Sequence, residues 1–552
     1  MYTTPPLPLD PKAWKPELDE FRAKTDAFYA GQMEKAAYKG FSGYFGSYAQ
    51  RGAAASMLRL RMPAGRVSGP RLAFVADVLR RYQLRRLHFT TCQTIQLHDL
   101  APQALYAIME AALEAGIVVL GGGGDYPRNV MCSPLAGADP AEYWDVTPWA
   151  EAAGAYLLRF LHTEKMPRKL KVGFSSSPQN LCHATYRDLG FAAREDGLFD
   201  VYSAGGLGNN PKLGVKVAEG VAPDQILYYI KAMWLTFRAY GNYENRAKAR
   251  TRYMQEALGG PEAYAAAFRQ KLSEVYQTED LTLTGVEAPA MTKTGVPDES
   301  LPAHPRVLAQ KQPGLYAVAW HPIGGMPDPA VFCQVSDALQ TMQDAELRLS
   351  PDEGAYLVNL NAEEARTLLA MTEGNTAHSL FETSVACIGA GTCRGCGIPR
   401  RCWPIVWRLC AQPACLTALC PRSIFQAALP AAAPTRPGRS VFAAQPRCGT
   451  ADYSLLLPCL RAVAAARATK SWAGRSASCC GKTFPPSWLR WVRPWPPPGR
   501  ITPPGTPPTP PPLTHWPRVT CNRTGTARAC RKQRFHRHFA ASQPHPACAL
   551  RP

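Results

Sequence analysis

From Ser56 the chain alternates apolar and polar residues through "SMLRLRMPAG", the period of a half-buried strand. "RLAFVADVLRRY" follows, with apolar residues three and four apart as on one face of a helix. Two more strand-like pieces, "RRLHFTT" and "TIQLHDL", lead into a second helical run, "PQALYAIMEAALEAG". The predicted order is β-α-β-β-α. It returns over residues 314–372, where "GLYAVAWHP" reads as a strand, "PAVFCQVSDALQTM" as a helix, "AELRLS" and "GAYLVNL" as strands, and "AEEARTLLAM" as a helix. Identities barely match between the copies, but order and lengths do. The pattern predicts a duplication with the two copies in a pseudo-twofold arrangement.

Before the first copy lies a polar and aromatic arm with a helical stretch near "DEFRAKTDAFYAGQM". Between the copies, residues 120–260 read as an α/β segment broken by the glycine turns "LGGGGDYPRNVMC", "SAGGLGNNPKLG" and "YGNYENRAKARTRYM".

Charge divides the chain unevenly. The 552 residues carry 62 Lys+Arg and 42 Asp+Glu, a formal +20, which would ordinarily suggest a polyanionic partner. Residues 1–393 hold 38 basic and 41 acidic residues, whereas residues 394–552 hold 24 basic residues and one acid, Asp452. The front is therefore mildly acidic, and no specific nucleic-acid partner is expected. Six of the 18 cysteines fall at or before Cys393, too few for a secreted disulfide framework. No window of about 18 apolar residues predicts a membrane span, and "MYTTPPLPLDPKAWKPELDE" lacks a signal-peptide pattern. The expected setting is cytoplasmic, with no membrane partner.

Four basic residues fall at strand or turn positions: Arg59 in "MLRLRMP", Arg128 in "GGDYPRNVMC", and Lys169 and Lys171 in "MPRKLKVGF". Residues two apart on a strand share a face, so Lys169 pairs with Lys171 and Arg59 with Arg61. Convergent cations can hold a small oxyanion, and a lysine beside other cations has a lowered pKa and can donate protons. The bland alternative is a set of exposed edge charges that discourage sheet aggregation. The glycine runs could offer backbone N–H groups to carboxylates or phosphates, or could be turns that need positive φ. Cys387 and Cys393, as C-x5-C, form half of a possible iron–sulfur site.

Taken in order, "MLRLRMPAG", "FTTCQTIQLHDL", "YPRNVMC", "MPRKLK", "HPIGG…LRLSPDEGAYLVN" and "SVACIGAGTC" resemble the sirohaem-dependent sulfite/nitrite reductases from about residue 20 to Cys393. The resemblance implies an α+β fold: an N-terminal arm (1–45), a first ferredoxin-like half domain (46–118), an α/β sirohaem-binding domain (119–300) and a second half domain (301–372). Residues 373–393 would begin a second cluster and sirohaem domain. It also implies sirohaem beside a [4Fe–4S] cluster, six-electron reduction of sulfite to sulfide or of nitrite to ammonia, and electrons from ferredoxin or a flavoprotein. Arg59, Arg128, Lys169 and Lys171 match the family's anion-binding and proton-supplying residues. Arg61, Gln93, Gln96, Asn129, Arg168 and Lys212 match residues that hold the sirohaem, and Cys387 and Cys393 match the first two cluster ligands. A lysine at Lys171 resembles the sulfite-reducing members, which makes sulfite the expected substrate and nitrite the alternative. A noncatalytic sirohaem- or polyanion-binding fragment is the expectation from another class.

Two departures stand out. The family's T-x-R-Q motif carries Cys92 in place of arginine, and the later C-x3-C pair is missing after Cys393. Residues 394–552 hold seven of the 12 tryptophans and runs such as "RPWPPPGRITPPGTPPTPPPLTHWP", as expected of a GC-rich gene read out of register. With permitted synonymous codons, the shifted frame lets "CGIPRRCWPIVWRLC" encode LRDSQALLADCMAAV and "AALPAAAPTR" encode GCPSSCGTHQ, which contains a C-x3-C pair. The tail is accordingly expected to be out of frame and disordered. Two alternatives are a self-contained site made of Cys387, Cys393, Cys396 and Cys402, and a basic nucleic-acid-binding extension.

Overall fold

Two helices, α1 (Glu17–Tyr29) and α2 (Lys35–Ser42), open the structure and lead into β1 (Ser47–Ala49), β2 (Ser56–Arg61) and β3 (Arg66–Val67). Then come α3 (Gly69–Arg81), β4 (Leu87–Phe89), β5 (Thr94–Leu100) and α4 (Pro102–Glu114), so β2-α3-β4-β5-α4 is the predicted β-α-β-β-α unit. The coordinates are a computed structural model describing residues 14–385, apart from Arg51, Ala53, Glu164, Asn209, residues 289–290 and 299–300, Pro302 and Phe381. The backbone of two short strands farther on is also described. Cys387, Cys393 and the rest of the tail lie outside the described residues. Strands order as β1-β2-β5-β4, all antiparallel. Pro at the first turn of α3 and of α4 suits helix starts, where an N–H would have no partner anyway.

The middle segment forms a second sheet from β6 (Met131–Cys132), β7 (Val172–Ser175), β8 (Leu189–Ala193), β9 (Phe199–Ser203) and β10 (Val215–Val221), in the order β10-β9-β8-β7-β6. β6, β7 and β8 are parallel, and β8, β9 and β10 antiparallel. Four helices accompany it: α5 (Thr147–Leu158), α6 (Ile226–Tyr240), the short α7 (Met254–Ala257) and α8 (Pro261–Thr278). α6 buries ten of its 15 residues, among them Ile226, Ile230, Met233 and Phe237, as a helix enclosed on most sides must.

The second copy comprises β11 (Val307–Ala309), β12 (Tyr316–Trp320), α9 (Pro329–Thr341), β13 (Glu346–Leu349), β14 (Ala355–Leu360) and α10 (Ala362–Thr372). Asn361 caps α10 in a reciprocal box with Glu364. Its sheet runs β11-β12-β14-β13-β3, so β3 leaves its own copy and pairs antiparallel with β13, Val67 opposite Leu347 and Arg66 opposite Arg348. Arg66 anchors this crossover by pairing with Glu346 (3.0 Å) and Glu151 (3.1 Å). Farther on, β15 (Ile424–Ala427) and β16 (Val441–Ala444) pair in parallel.

The two copies share one core. Leu58, Leu60, Phe89 and Ile95 pack in the same apolar cluster as Trp320, Leu347 and Leu357. Phe89 meets Trp320 edge to face at 5.7 Å, a geometry worth about 1 kcal/mol beyond burial. The pseudo-symmetry reaches the turns. Gln93, at φ +51°, follows β4 and donates to the carbonyl of Leu349 at the end of β13. Its counterpart Glu353, at φ +66°, follows β13 and faces His88 on β4. Each sits against a glycine of the other turn type: a Cβ on Gly65 would lie 2.5 Å from Gln93 Nε2, and one on Gly325 would lie 2.7 Å from Glu353 Cβ.

Candidate active site

The site is built where β2 meets the glycine loop and the segment before β7. Arg59 and Arg61 share a face of β2, as expected, and both reach the 120–128 loop. Arg59 Nη1 donates to the Gly122 carbonyl, while Arg61 Nη1 donates to the carbonyls of Leu120 (3.2 Å) and Pro127 (2.9 Å). The Arg128 N–H donates to the Leu170 carbonyl (2.8 Å), and Pro127 and Leu170 form a parallel bridge. Lys169 and Lys171 flank that bridge. They lie just before β7, which begins at Val172, rather than inside a strand; the extended backbone still places them on either side of Leu170. Arg128 Nη1 also donates to the Gly122 carbonyl, so two guanidinium groups converge on one oxygen.

Cations brought this close and partly desolvated are easier to deprotonate. Burial, then Arg59, brings Arg128 down to about 10. Burial, then Lys171 and Arg128, holds Lys169 well below the ordinary lysine value, and the strongest charges acting on it are all of its own sign. Lys171 is lowered chiefly by burial. At 7% exposure Lys171 does not fit the reading of a solvated edge charge.

One buried carboxylate positions the lysine segment. Asp188 accepts from Arg250 Nη2 (2.9 and 3.1 Å), from the Thr251 hydroxyl and from the backbone N–H of Lys171 (2.8 Å). Asp188→Ala would leave Arg250 buried and unpaired. The expected loss is about 3 kcal/mol of stability, measured as a lower urea midpoint, and a loss within about 0.5 kcal/mol would count against this role.

The residues matched to cofactor contacts divide. Gln96, with its amide oriented to satisfy both neighbours, accepts from Arg59 Nε (3.1 Å) and Nη2 (2.7 Å) and donates to His88 Nδ1 (3.2 Å). His88 Nε2 lies 3.2 Å from Glu353 Oε1, so a buried chain runs from Arg59 into the second copy. Arg61 and Gln93 make backbone contacts: Gln93 exchanges hydrogen bonds with both the N–H (2.8 Å) and the C=O (2.9 Å) of Cys132. Asn129 Nδ2 holds the Met62, Cys92 and Gln93 carbonyls, leaving its buried Oδ1 without a partner. Arg168 donates to Asp125 (2.6 Å), which Arg246 also holds (2.7 Å), and Lys212 is turned to Glu256 on α7 (2.9 Å).

The glycine loops use their N–H groups internally. Gly121 N donates to Tyr44 O (2.7 Å) and Gly124 N to Tyr48 Oη (2.7 Å), and a Cβ on Gly123 would lie 2.3 Å from Gly43 O. They are close-packed turns, and what the first presents to the site is a carbonyl. Sequence reasoning missed His88, Glu353, Arg187 and Asp188. Glu353 was findable, because aligning "TTCQ" with "SPDE" makes it the counterpart of Gln93. Arg187 and Asp188 precede β8 in a stretch with no signal.

The buried donors Arg128 Nε and Arg187 Nη2 have no hydrogen-bond partner, and Lys169 faces like charges. Such a donor set suits an anionic group bearing carboxylates, as sirohaem is. Among the described residues no group of three or more His, Cys, Asp or Glu side chains could hold a metal ion.

Comparison with known proteins agrees with the geometry. Residues 48–115 match the nitrite/sulfite reductase ferredoxin-like half domain, and residues 123–276 match the nitrite and sulphite reductase 4Fe-4S domain. The chain carries two domains of the nitrite and sulfite reductase family. Relatives of both kinds within that family are similar to it. Ferredoxin–nitrite reductase of Synechococcus elongatus is 27% identical over 356 residues, 61% of this chain and 66% of its own. The sulfite reductase [NADPH] hemoprotein beta-component of Acidithiobacillus ferrooxidans is 30% identical over 237 residues, 37% of this chain and 42% of its own. The chain thus spans between two fifths and two thirds of the length of these relatives. The structure of the Mycobacterium tuberculosis NirA protein shares the fold, with a TM-score of 0.58 and 22% identity over 72% of this chain and 75% of that one. Among the described residues no helix is long and apolar enough to cross a membrane.

Proposed function

We propose that the chain is built as a sirohaem- and [4Fe–4S]-dependent reductase that converts sulfite to sulfide with six electrons, and that its codons after Cys393 are read out of register. The observation that carries the reading is the convergence of Arg59, Arg128, Lys169 and Lys171, with like-charged neighbours about Lys169, inside the family's half-domain and 4Fe-4S region. Sirohaem and the cluster, when bound, deliver the electrons. The chain's own residues provide charge and protons. Arg59, held by Gln96, and Arg128 are set to bind the oxygens of the anion. Lys169 and Lys171 would protonate those oxygens as they leave as water. Cys387 and Cys393 would supply half of the cluster ligands, and the C-x3-C pair of the shifted frame the other half.

Reduction of nitrite to ammonia is the second reading, because a ferredoxin–nitrite reductase and a ferredoxin sulfite reductase each match 61% of this chain. Ferredoxin or a flavoprotein is the proposed electron donor. The test uses a register-corrected chain with reduced methyl viologen, and quantifies sulfide from sulfite and ammonia from nitrite. Sulfide formed at six electrons each, faster than ammonia, supports the sulfite reading. A correctly loaded chain that makes neither product would end it.

A further inference from the structure

Three residues of the site stand in one row across the first sheet. Arg59 on β2 lies opposite Gln96 on β5, and Gln96 lies opposite His88 on β4, so the three side chains leave one face as directly paired neighbours. Their hydrogen-bond polarity is fixed from one end. A guanidinium can only donate, so Gln96 must turn its oxygen to Arg59 Nε (3.1 Å) and Nη2 (2.7 Å). The amide N–H₂ then points at His88 Nδ1 (3.2 Å), which has to accept. The ring proton of His88 is left on Nε2, and it faces Glu353 Oε1 (3.2 Å). Glu353 comes from the turn between β13 and β14 of the second copy, 265 residues away in sequence. Gln96, His88 and Glu353 are 6%, 5% and 3% exposed, so bulk water does not replace a partner lost from this row. The ring is also wedged in place: a Cβ on Gly325 would lie 3.1 Å from His88 Cδ2, and the buried His98 ring on β5 is 6.5 Å away between centroids. At the other end Arg59 Nη1 holds the Gly122 carbonyl. Three of the five guanidinium N–H groups are thereby engaged, which leaves one on each terminal nitrogen to meet an oxyanion.

We propose that His88 and Glu353 are positioning residues for Arg59. Glu353 keeps the ring proton on Nε2, His88 in that form holds the Gln96 amide with its oxygen on Arg59, and the guanidinium is set for the oxyanion before it arrives. The inference rests on the reading of the cluster as an oxyanion site. It gives the second copy a part in a site whose cations come from the first copy and the middle segment. Without the Glu353 carboxylate the ring proton can move to Nδ1 and donate to Gln96. The amide would then have to turn its N–H₂ toward a group that only donates, and Arg59 would lose that anchor. Glu353→Gln still presents an oxygen to Nε2–H, whereas Glu353→Ala presents none.

The experiment measures sulfate binding to the full-length chain by isothermal titration calorimetry in one neutral buffer. It compares wild type, Glu353→Ala, Glu353→Gln, Arg59→Met, and Arg59→Met combined with Glu353→Ala. Glu353→Ala is expected to weaken sulfate about fivefold or more, and Glu353→Gln to bind within about twofold of wild type. In the Arg59→Met background the alanine should cost nothing further, because it acts through a side chain that is gone; a merely structural role would weaken both backgrounds alike. Nitrogen-15 labelling of histidine reads the ring directly, and the signal that disappears in His88→Gln should be that of an Nε2–H tautomer. This spectrum is taken on wild type, so it decides even where Glu353→Ala does not fold. An Nδ1–H or doubly protonated ring overturns the proposal. So does an alanine effect that persists without Arg59, or wild-type affinity in Glu353→Ala; in these cases sulfate binding by wild type keeps the oxyanion site. No binding of sulfate by wild type removes both.

Discussion

Correcting the register after Cys393 is expected to turn a chain that purifies without an iron–sulfur chromophore into one holding about four iron atoms and four labile sulfides, with broad visible absorbance. The chemistry behind this is ligand counting. A [4Fe–4S] cluster takes four thiolates, and Cys387 with Cys393 offers two. The shifted frame places two more within GCPSSCGTHQ, with three residues between them, on the far side of a helix-like stretch. In the printed register the same bases give "AALPAAAPTR", without a single sulfur. Resequencing codons 385–440 would show which register the gene has, and iron and sulfide analysis of both chains would show what each can hold. A cluster at full occupancy in the printed chain would sink this reading and point to Cys396 and Cys402 as the missing ligands.

Replacing Lys171 should have the largest effect of any side chain outside the cluster ligands. In the register-corrected chain, Lys171→Met removes both a cation and a proton donor, and reduction of sulfite should fall about 10²- to 10⁴-fold. Lys171→Arg keeps the charge and loses the easily released proton. It should leave KM within a few-fold while kcat drops nearly as far as in the methionine variant, a split that a purely structural role would not produce. The pH profile carries the same signature. Because the folded protein holds Lys169 and Lys171 below the ordinary lysine value, their proton-donating forms disappear as pH rises through those lowered values. Activity should therefore decline on the alkaline side well before about pH 10, and the arginine variant should keep only the part of that limb that Lys169 supplies. Equal kcat in wild type and Lys171→Arg would exclude proton donation by this residue.

Much of the scaffold was legible because its periodicities are clean. Strict alternation in "MLRLRM" and the three-and-four spacing in "RLAFVADVLRRY" have one structural meaning each, and both recur in the second copy. The four cations could be listed from their strand and turn positions, but spacing alone favoured exposed edge charges, and it was the family resemblance that singled them out. The tertiary partners that give them character were not legible. Nothing local in "TYRDLG" says that Asp188 will collect Arg250 and Thr251 from more than sixty residues away. His88 looks like an ordinary strand residue until the second copy brings Glu353 to it. The glycine loop misled in one respect: four consecutive glycines suggest N–H groups free for a ligand, whereas Tyr44, Val119 and Tyr48 accept from those of Gly121, Gly122 and Gly124.

The placement of β3 also bears on how the chain is made. Its two residues cannot find their partners until β13 has been synthesised, some 280 residues later, so this strand must wait on the ribosome for the second copy before it is paired. All of that delayed partner, through α10, is encoded ahead of Cys393. A nascent chain therefore receives every strand needed to clasp its two copies together before translation reaches the stretch where the register is lost, and a shifted tail would be attached to a platform that has already been given the means to assemble.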